Sequence, residues 1–117
     1  RLSYRIAADN LRAGVSVVAD SCNPIELTRD EWQAVARQND ADSVNIEVLC
    51  SDSDEHRKRI EGRTSDIDGL NLPTWQNVVD REYHSWRSDR LIIDTAKRSS
   101  DTCFDELALL LDDYFER

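Results

Sequence analysis

Three short apolar runs set the strongest limit on what this chain can fold into. They are Val15-Ser16-Val17-Val18-Ala19-Asp20, Val44-Asn45-Ile46-Glu47-Val48-Leu49-Cys50 and Leu91-Ile92-Ile93-Asp94. Each has the length and β-branched content of a strand, and the first reads as a strand covered on both faces. In the second, Asn45 and Glu47 alternate with Val44, Ile46 and Val48, so one face is expected to be only partly covered. Segments of helical pattern separate the runs. Strands alternating with helices predict an α/β fold with a parallel sheet and right-handed crossovers.

The helix signals are local. Leu2 to Ala13 reads as a helix, with Gly14 just past its end. Thr28-Arg29-Asp30-Glu31 has the form of a capping box, opening a helix that turns Trp32, Val35 and Ala36 inward and ends near Asn39. Ser51-Asp52-Ser53-Asp54 supplies caps for a third helix, and Thr74 caps a short fourth with Trp75, Val78 and Val79 inward. Ser99 or Ser100 starts the last helix, in which Phe104, Leu107, Leu110, Leu111 and Tyr114 recur at helical spacing. Thr64 to Pro73 lacks apolar periodicity and, with Gly69 and Pro73, reads as a flap.

A chain of 117 residues fits a single domain, 1–117, with a modest core. Its 24 acidic and 15 Lys or Arg residues give a net charge of −9. That balance argues against broad binding to long nucleic acid or to anionic membranes. No apolar run approaches the roughly 20 residues that span a bilayer. Cys22, Cys50 and Cys103 lie far apart, with no CxxC or Cys/His cluster. They read as free thiols in a reducing cytoplasm, Cys50 in the core and Cys22 in a polar loop.

Two of the predicted strands end in aspartate, Asp20 and Asp94. In an open α/β sheet the ligand crevice lies beyond the carboxyl ends of the strands. A carboxylate there can hold Mg²⁺ through water or take a proton from a substrate hydroxyl; it can equally cap the next helix or shape a turn. Asn23 and Arg29 flank the loop after Asp20 and suit a polar substrate. Alternatively, Asn23 starts an Asn-Pro turn and Arg29 is a solvated first-turn residue, at the helix end where a cation is disfavoured.

The octapeptide His56-Arg57-Lys58-Arg59-Ile60-Glu61-Gly62-Arg63 is a basic knot in an acidic chain. On a helix Arg59 and Arg63 lie four apart on one face, and two neighbouring guanidinium forks can clamp phosphate oxygens. A solvated helix carboxyl end, which favours cations, explains the same cluster. Arg57 and Lys58 read as surface charge. His56 and His84 read as surface histidines, without a carboxylate or Cys at triad or metal spacing. Trp75 and Trp86 read as packing residues, and Lys97-Arg98 as a polar turn.

In order along the chain, AADNLRAGVSVVADSCNP, TRDEW, CSDSDEHRKRIEGR, LPTW and LIIDTAKRS resemble the carboxyl-terminal two-thirds of a P-loop kinase. The likeness is to bacterial kinases of the AAA-domain type related to polynucleotide and gluconate kinases, and it covers most of the chain. It implies a three-layer α/β/α sheet of the P-loop NTPase kind, with a lid helix and flap over 56–73. It also implies an ATP- and Mg²⁺-dependent phosphotransferase acting on a small molecule or a nucleic-acid end. Under the resemblance Asp20 assists Mg²⁺ or activates the acceptor hydroxyl, and Arg59 and Arg63 neutralise the transferred phosphoryl group. Asn23 and Arg29 face the acceptor, and Thr95, Lys97 and Arg98 lie near the adenine. The departure is the phosphate loop: no GxxxxGK[ST] occurs, and Gly14, Gly62 and Gly69 are isolated. Without it the chain alone is expected to be inactive. A missing amino-terminal segment or a second copy is expected to complete the sheet, and the rival expectation is a non-catalytic α/β interaction module.

Overall fold

The computed structural model describes residues 2–20, 22–63, 69, 72–87 and 89–116. Its elements are α1 (Leu2–Arg12), α2 (Glu26–Gln38), β1 (Ile46–Leu49), α3 (Ser53–Glu61), α4 (Trp75–Asp80), β2 (Leu91–Asp94) and α5 (Ser100–Phe115). The fold is mixed α/β, with a two-stranded parallel sheet among the described residues. The chain gathers into two compact units, Arg1–Val44 with Glu82–Asp89, and Asn45–Arg81 with Arg90–Arg117.

In the first unit α1 packs on α2. Helix α1 stops where Gly14 takes φ +82°, which lets the Val15 amide donate back to the Asn10 carbonyl (2.9 Å) and the Gly14 amide to that of Leu11 (3.0 Å). That pair of bonds satisfies carbonyls a helix end otherwise leaves open. Tyr4 meets Trp32 edge to face, with centroids 4.5 Å apart, and Ala7 and Ala36 are buried beside them. Helix α2 begins earlier than the capping box predicts: Ile25 holds the cap position without a side-chain bond, and the Thr28 hydroxyl donates to the Ile25 carbonyl. Thr28 is thus already inside the helix, where a hydroxyl bonds back to the preceding turn.

The first predicted strand does not form. Val15–Asp20 is irregular and exposed, Val18 to 90%. A strand exists only by pairing its amides and carbonyls with a neighbour, and among the described residues no strand pairs with this one. β-branched content alone does not supply that neighbour.

In the second unit β1 and β2 pair in parallel register, Ile46 with Leu91 through Leu49 with Asp94. Helix α5 packs against β2, burying Ile93 to 3% exposure, and α3 packs on α4. Strand β1 reverses the expected pattern, with Glu47 buried and Val48 65% exposed. The cause is electrostatic: Arg90 Nε binds Glu47 Oε1 at 2.7 Å, so the carboxylate goes inward with its charge matched. Val79, expected to face inward, is 58% exposed, and Phe104, which belongs to the apolar spacing of the last helix, is 68% exposed. Two strands about 5 Å apart offer a helix a narrow platform, too narrow to cover every apolar side chain of α5.

The remaining caps follow the sequence. Asp52 accepts from the Asp54 and Glu55 amides, Thr74 and Asn77 form a reciprocal capping box, and Ser99 accepts from the Thr102 amide. Each satisfies amides that the first turn of a helix leaves without partners. Most of the predicted Thr64–Pro73 flap lies outside the described residues.

Candidate functional site

The second unit concentrates polar side chains where β1 and β2 end. Asp94, the last residue of β2, accepts from the backbone amides of Ser51 and Ala96, both at 3.0 Å. The Ser51 hydroxyl first, then these amides, hold the Asp94 carboxyl below the ordinary carboxylate range. Asp94 therefore ties the turn after β1 to the turn after β2. Thr95 follows, its amide and hydroxyl both donating to the Leu49 carbonyl, at 2.8 and 3.0 Å.

Helix α3 reaches this turn through Arg59. The guanidinium donates to the Thr95 hydroxyl (2.7 Å), the Thr95 carbonyl (2.9 Å) and Glu55 Oε1 (2.5 Å). Glu55 sits one helical turn before Arg59, and its other oxygen accepts from the Lys97 amide at 2.6 Å. Lys97 holds φ at +55°, a region a side chain other than glycine seldom adopts. Its ammonium stands 3.9 Å from Asp52, and Arg98 bonds the Asp94 carbonyl and Glu106. Glu106 pushes the Arg98 guanidinium up from its ordinary value. Arg59, Thr95, Lys97 and Arg98 are thus brought together, with each cation already beside a carboxylate.

Arg63 departs from the expected pairing. Helix α3 ends at Glu61 with Gly62 as its cap, so Arg63 lies outside the helix. Its guanidinium donates to the Pro73 carbonyl at 3.4 Å. Arg57 pairs with Glu61 at 3.1 Å on the exposed side, as expected of surface charge. His56 is half-buried and packs edge-on against Trp75, with centroids 5.1 Å apart.

The first unit holds Asp20 and Asn23. They line an open groove of about 480 Å³ whose walls include Tyr4, Ile6, Val17 and Trp32. Among the described residues no group of three or more His, Cys, Asp or Glu side chains converges to hold a metal.

Arg29 lies elsewhere in the same unit and is only 5% exposed. Its guanidinium donates to the carbonyls of Asn23 (2.7 Å), His84 (2.9 Å) and Pro24 (3.3 Å), and lies 3.9 Å from the Trp86 ring centre and 5.0 Å from that of Tyr83. This corrects the reading of Arg29 as a solvated residue or an open acceptor-site cation: the carbonyls and rings of its own unit enclose it. His84 is likewise no simple surface histidine. It is half-buried, its Nδ1 accepts from the Glu26 amide at 3.1 Å, and its Nε2 lies 2.9 Å from Glu82. Two signals could have exposed this strap over 82–87: the density of Tyr83, His84 and Trp86, and an arginine in the unfavourable first turn of α2.

Comparison of the chain with protein-family models, curated proteins and solved structures finds no match. No helix among the described residues is long and apolar enough to cross a membrane.

Proposed function

We propose that this chain is the acceptor-and-lid part of an ATP- and Mg²⁺-dependent phosphotransferase of the P-loop kind, acting on a small molecule or a nucleic-acid end. The observation that carries the reading is the seating of Arg59 on Thr95. It joins the helix that resembles a kinase lid to the turn that resembles an adenine-side turn, at the carboxyl ends of two parallel strands. A two-stranded parallel sheet is also less than such sheets use to stand alone, and the exposure of Val48 and Ile92 fits further strands and a three-layer sheet. The phosphate loop, absent from these 117 residues, comes in this reading from another segment or a partner.

The chemistry asked of the chain is positioning and charge stabilisation. Arg59 exchanges Glu55 and Thr95 for oxygens of the transferred phosphoryl group, and Arg63, which bonds the Pro73 carbonyl, adds a second fork. Asp20 takes the proton of the acceptor hydroxyl, and Asn23 orients that acceptor in the groove. Thr95, Lys97 and Arg98 form the nucleotide-side turn. Arg29 holds the α2 entry loop that carries Asn23, a supporting role in place of direct contact.

The test is ATP turnover by the full product of the natural gene, with hydroxylated small molecules and 5′-hydroxyl oligonucleotides as acceptors. Arg59→Ala with Arg63→Ala is expected to lower kcat by about 10²-fold or more, as loss of charge-stabilising donors does. Absence of ATP binding, or turnover unchanged in the double variant, overturns the reading. One observation favours a second reading, a non-catalytic interaction module: Val15, Val17 and Val18 are exposed in an irregular segment, and Val17 and Val18 line one groove with exposed Ile6. A gene product without ATP binding but with a partner on that segment would establish it.

A further inference from the structure

We propose that the segment 82–87 is a proton-operated strap on the amino end of α2, with His84 as its catch. Helix α2 lacks a side-chain cap of its own, because Ile25 occupies the cap position. The imidazole of His84 does that work from 58 residues away, Nδ1 accepting from the Glu26 amide at 3.1 Å. Only the neutral ring can do so, and in the tautomer that leaves the hydrogen on Nε2, facing Glu82 at 2.9 Å. The other bonds of the strap converge on the same residue: its amide donates to the Pro24 carbonyl at 2.6 Å, and its carbonyl accepts from Arg29 at 2.9 Å. Trp86 and Tyr83 lie over the Arg29 guanidinium, and the Trp86 indole donates to the Tyr83 hydroxyl at 3.0 Å.

Protonation reverses the catch. An imidazolium presents a second N–H to the Glu26 amide, so two donors face each other at a helix end whose dipole already disfavours a cation. Arg29 and Arg87 add like charge on that side, Arg87 lying 3.6 Å from the Glu26 carboxylate. Glu82 and Glu26 oppose the opening, since both carboxylates favour a charged ring. Glu82 is already bonded to the neutral ring through Nε2, whereas the acceptor that Nδ1 offers the Glu26 amide is lost outright on protonation. Opening uncovers Arg29, a cation 5% exposed in the closed strap.

The experiment is an NMR titration of this chain from about pH 8 to about pH 5, the range in which imidazoles exchange their proton. It follows the Glu26 amide, the Trp86 indole NH and the His84 ring nitrogens. All three are expected to move with one midpoint, while exchange protection of the Glu26 amide falls by up to about tenfold per pH unit, the limit for a single proton. His84→Gln, whose carbonyl can still accept from Glu26, is expected to keep the strap closed throughout. Glu26 and Trp86 signals that do not follow the His84 ring, or a transition that persists in His84→Gln, overturn the proposal. Should His84→Gln fail to fold, the Nδ1-acceptor tautomer read from the wild-type ring nitrogens decides: an Nδ1–H neutral form refutes the catch.

Discussion

Replacing Arg29 by methionine tests whether the guanidinium is a structural pin or a substrate ligand. Methionine keeps most of the apolar stem, so the loss is confined to the charged head. That head gives three bonds to carbonyls of Asn23, Pro24 and His84 and lies over two rings. Each bond contributes about 1 kcal/mol net of exchange with water, and more where the carbonyl is left buried without a donor. The ring contact contributes roughly 1 kcal/mol at a desolvated site. The sum is about 3–4 kcal/mol, a large part of the 5–15 kcal/mol that holds a typical domain. In urea, with a slope of about 1–1.5 kcal/mol per molar for a small unit, the midpoint should fall by roughly 2–4 M, followed by Trp86 fluorescence. Arg29→Lys should fall in between, because an ammonium cannot reproduce the fork. A midpoint within about 0.3 M of wild type would refute the pin. If phosphoryl transfer by the intact gene product were then lost with stability intact, Arg29 would return to the acceptor site.

Two further outcomes follow from the second unit. Arg90→Ala should destabilise it by about 2–3 kcal/mol in the same assay, because the Glu47 side chain, 10% exposed, is left charged beneath the sheet. Adding Glu47→Val to Arg90→Ala should recover most of that loss, and a double variant no better than the single would show that Arg90 acts through packing instead. For Asp94 the sign follows from its lowered carboxyl. The unfolded chain, near the ordinary 3.8, binds the proton first, so the stability Asp94 contributes is complete above that value and is lost as pH falls through its lower folded value. Asp94→Asn should flatten the decline of stability below about pH 5, measured by urea midpoints across pH. A decline equally steep in the variant would mean that other carboxylates dominate.

The local signals carried further than the non-local ones. Gly14, Asp52, Thr74 and Ser99 act at helix ends within a few residues of themselves, and all appear where their chemistry requires. Leu91–Asp94 and Val15–Asp20 have the same β-branched character, yet only the first becomes a strand, because only it has β1 beside it. Glu47 went inward for the same kind of reason: its partner Arg90 lies 43 residues away. The site divides likewise. The octapeptide and the Thr95–Arg98 turn were visible as polar segments, but Glu55, which bridges Arg59 to the Lys97 amide, reads in sequence as one more acid at the start of a helix. The His84 strap joins positions 58 apart and left no periodic trace.

Glu55 also bears on what the basic knot can hold. Arg59, the helix cation that touches the Thr95 turn, already faces a carboxylate at 2.5 Å, in a chain of net charge −9. Any anion that takes its place must outcompete that carboxylate and the Thr95 oxygens. A singly charged group offers no gain over Glu55, whereas a phosphoryl group with about two charges and three acceptor oxygens offers more charge and more bonds to the same fork. Displacing Glu55 would also release the Lys97 amide, which it holds at 2.6 Å in a strained backbone region. Occupancy of Arg59 would thereby be felt at the turn after β2, coupling α3 and that turn through one glutamate.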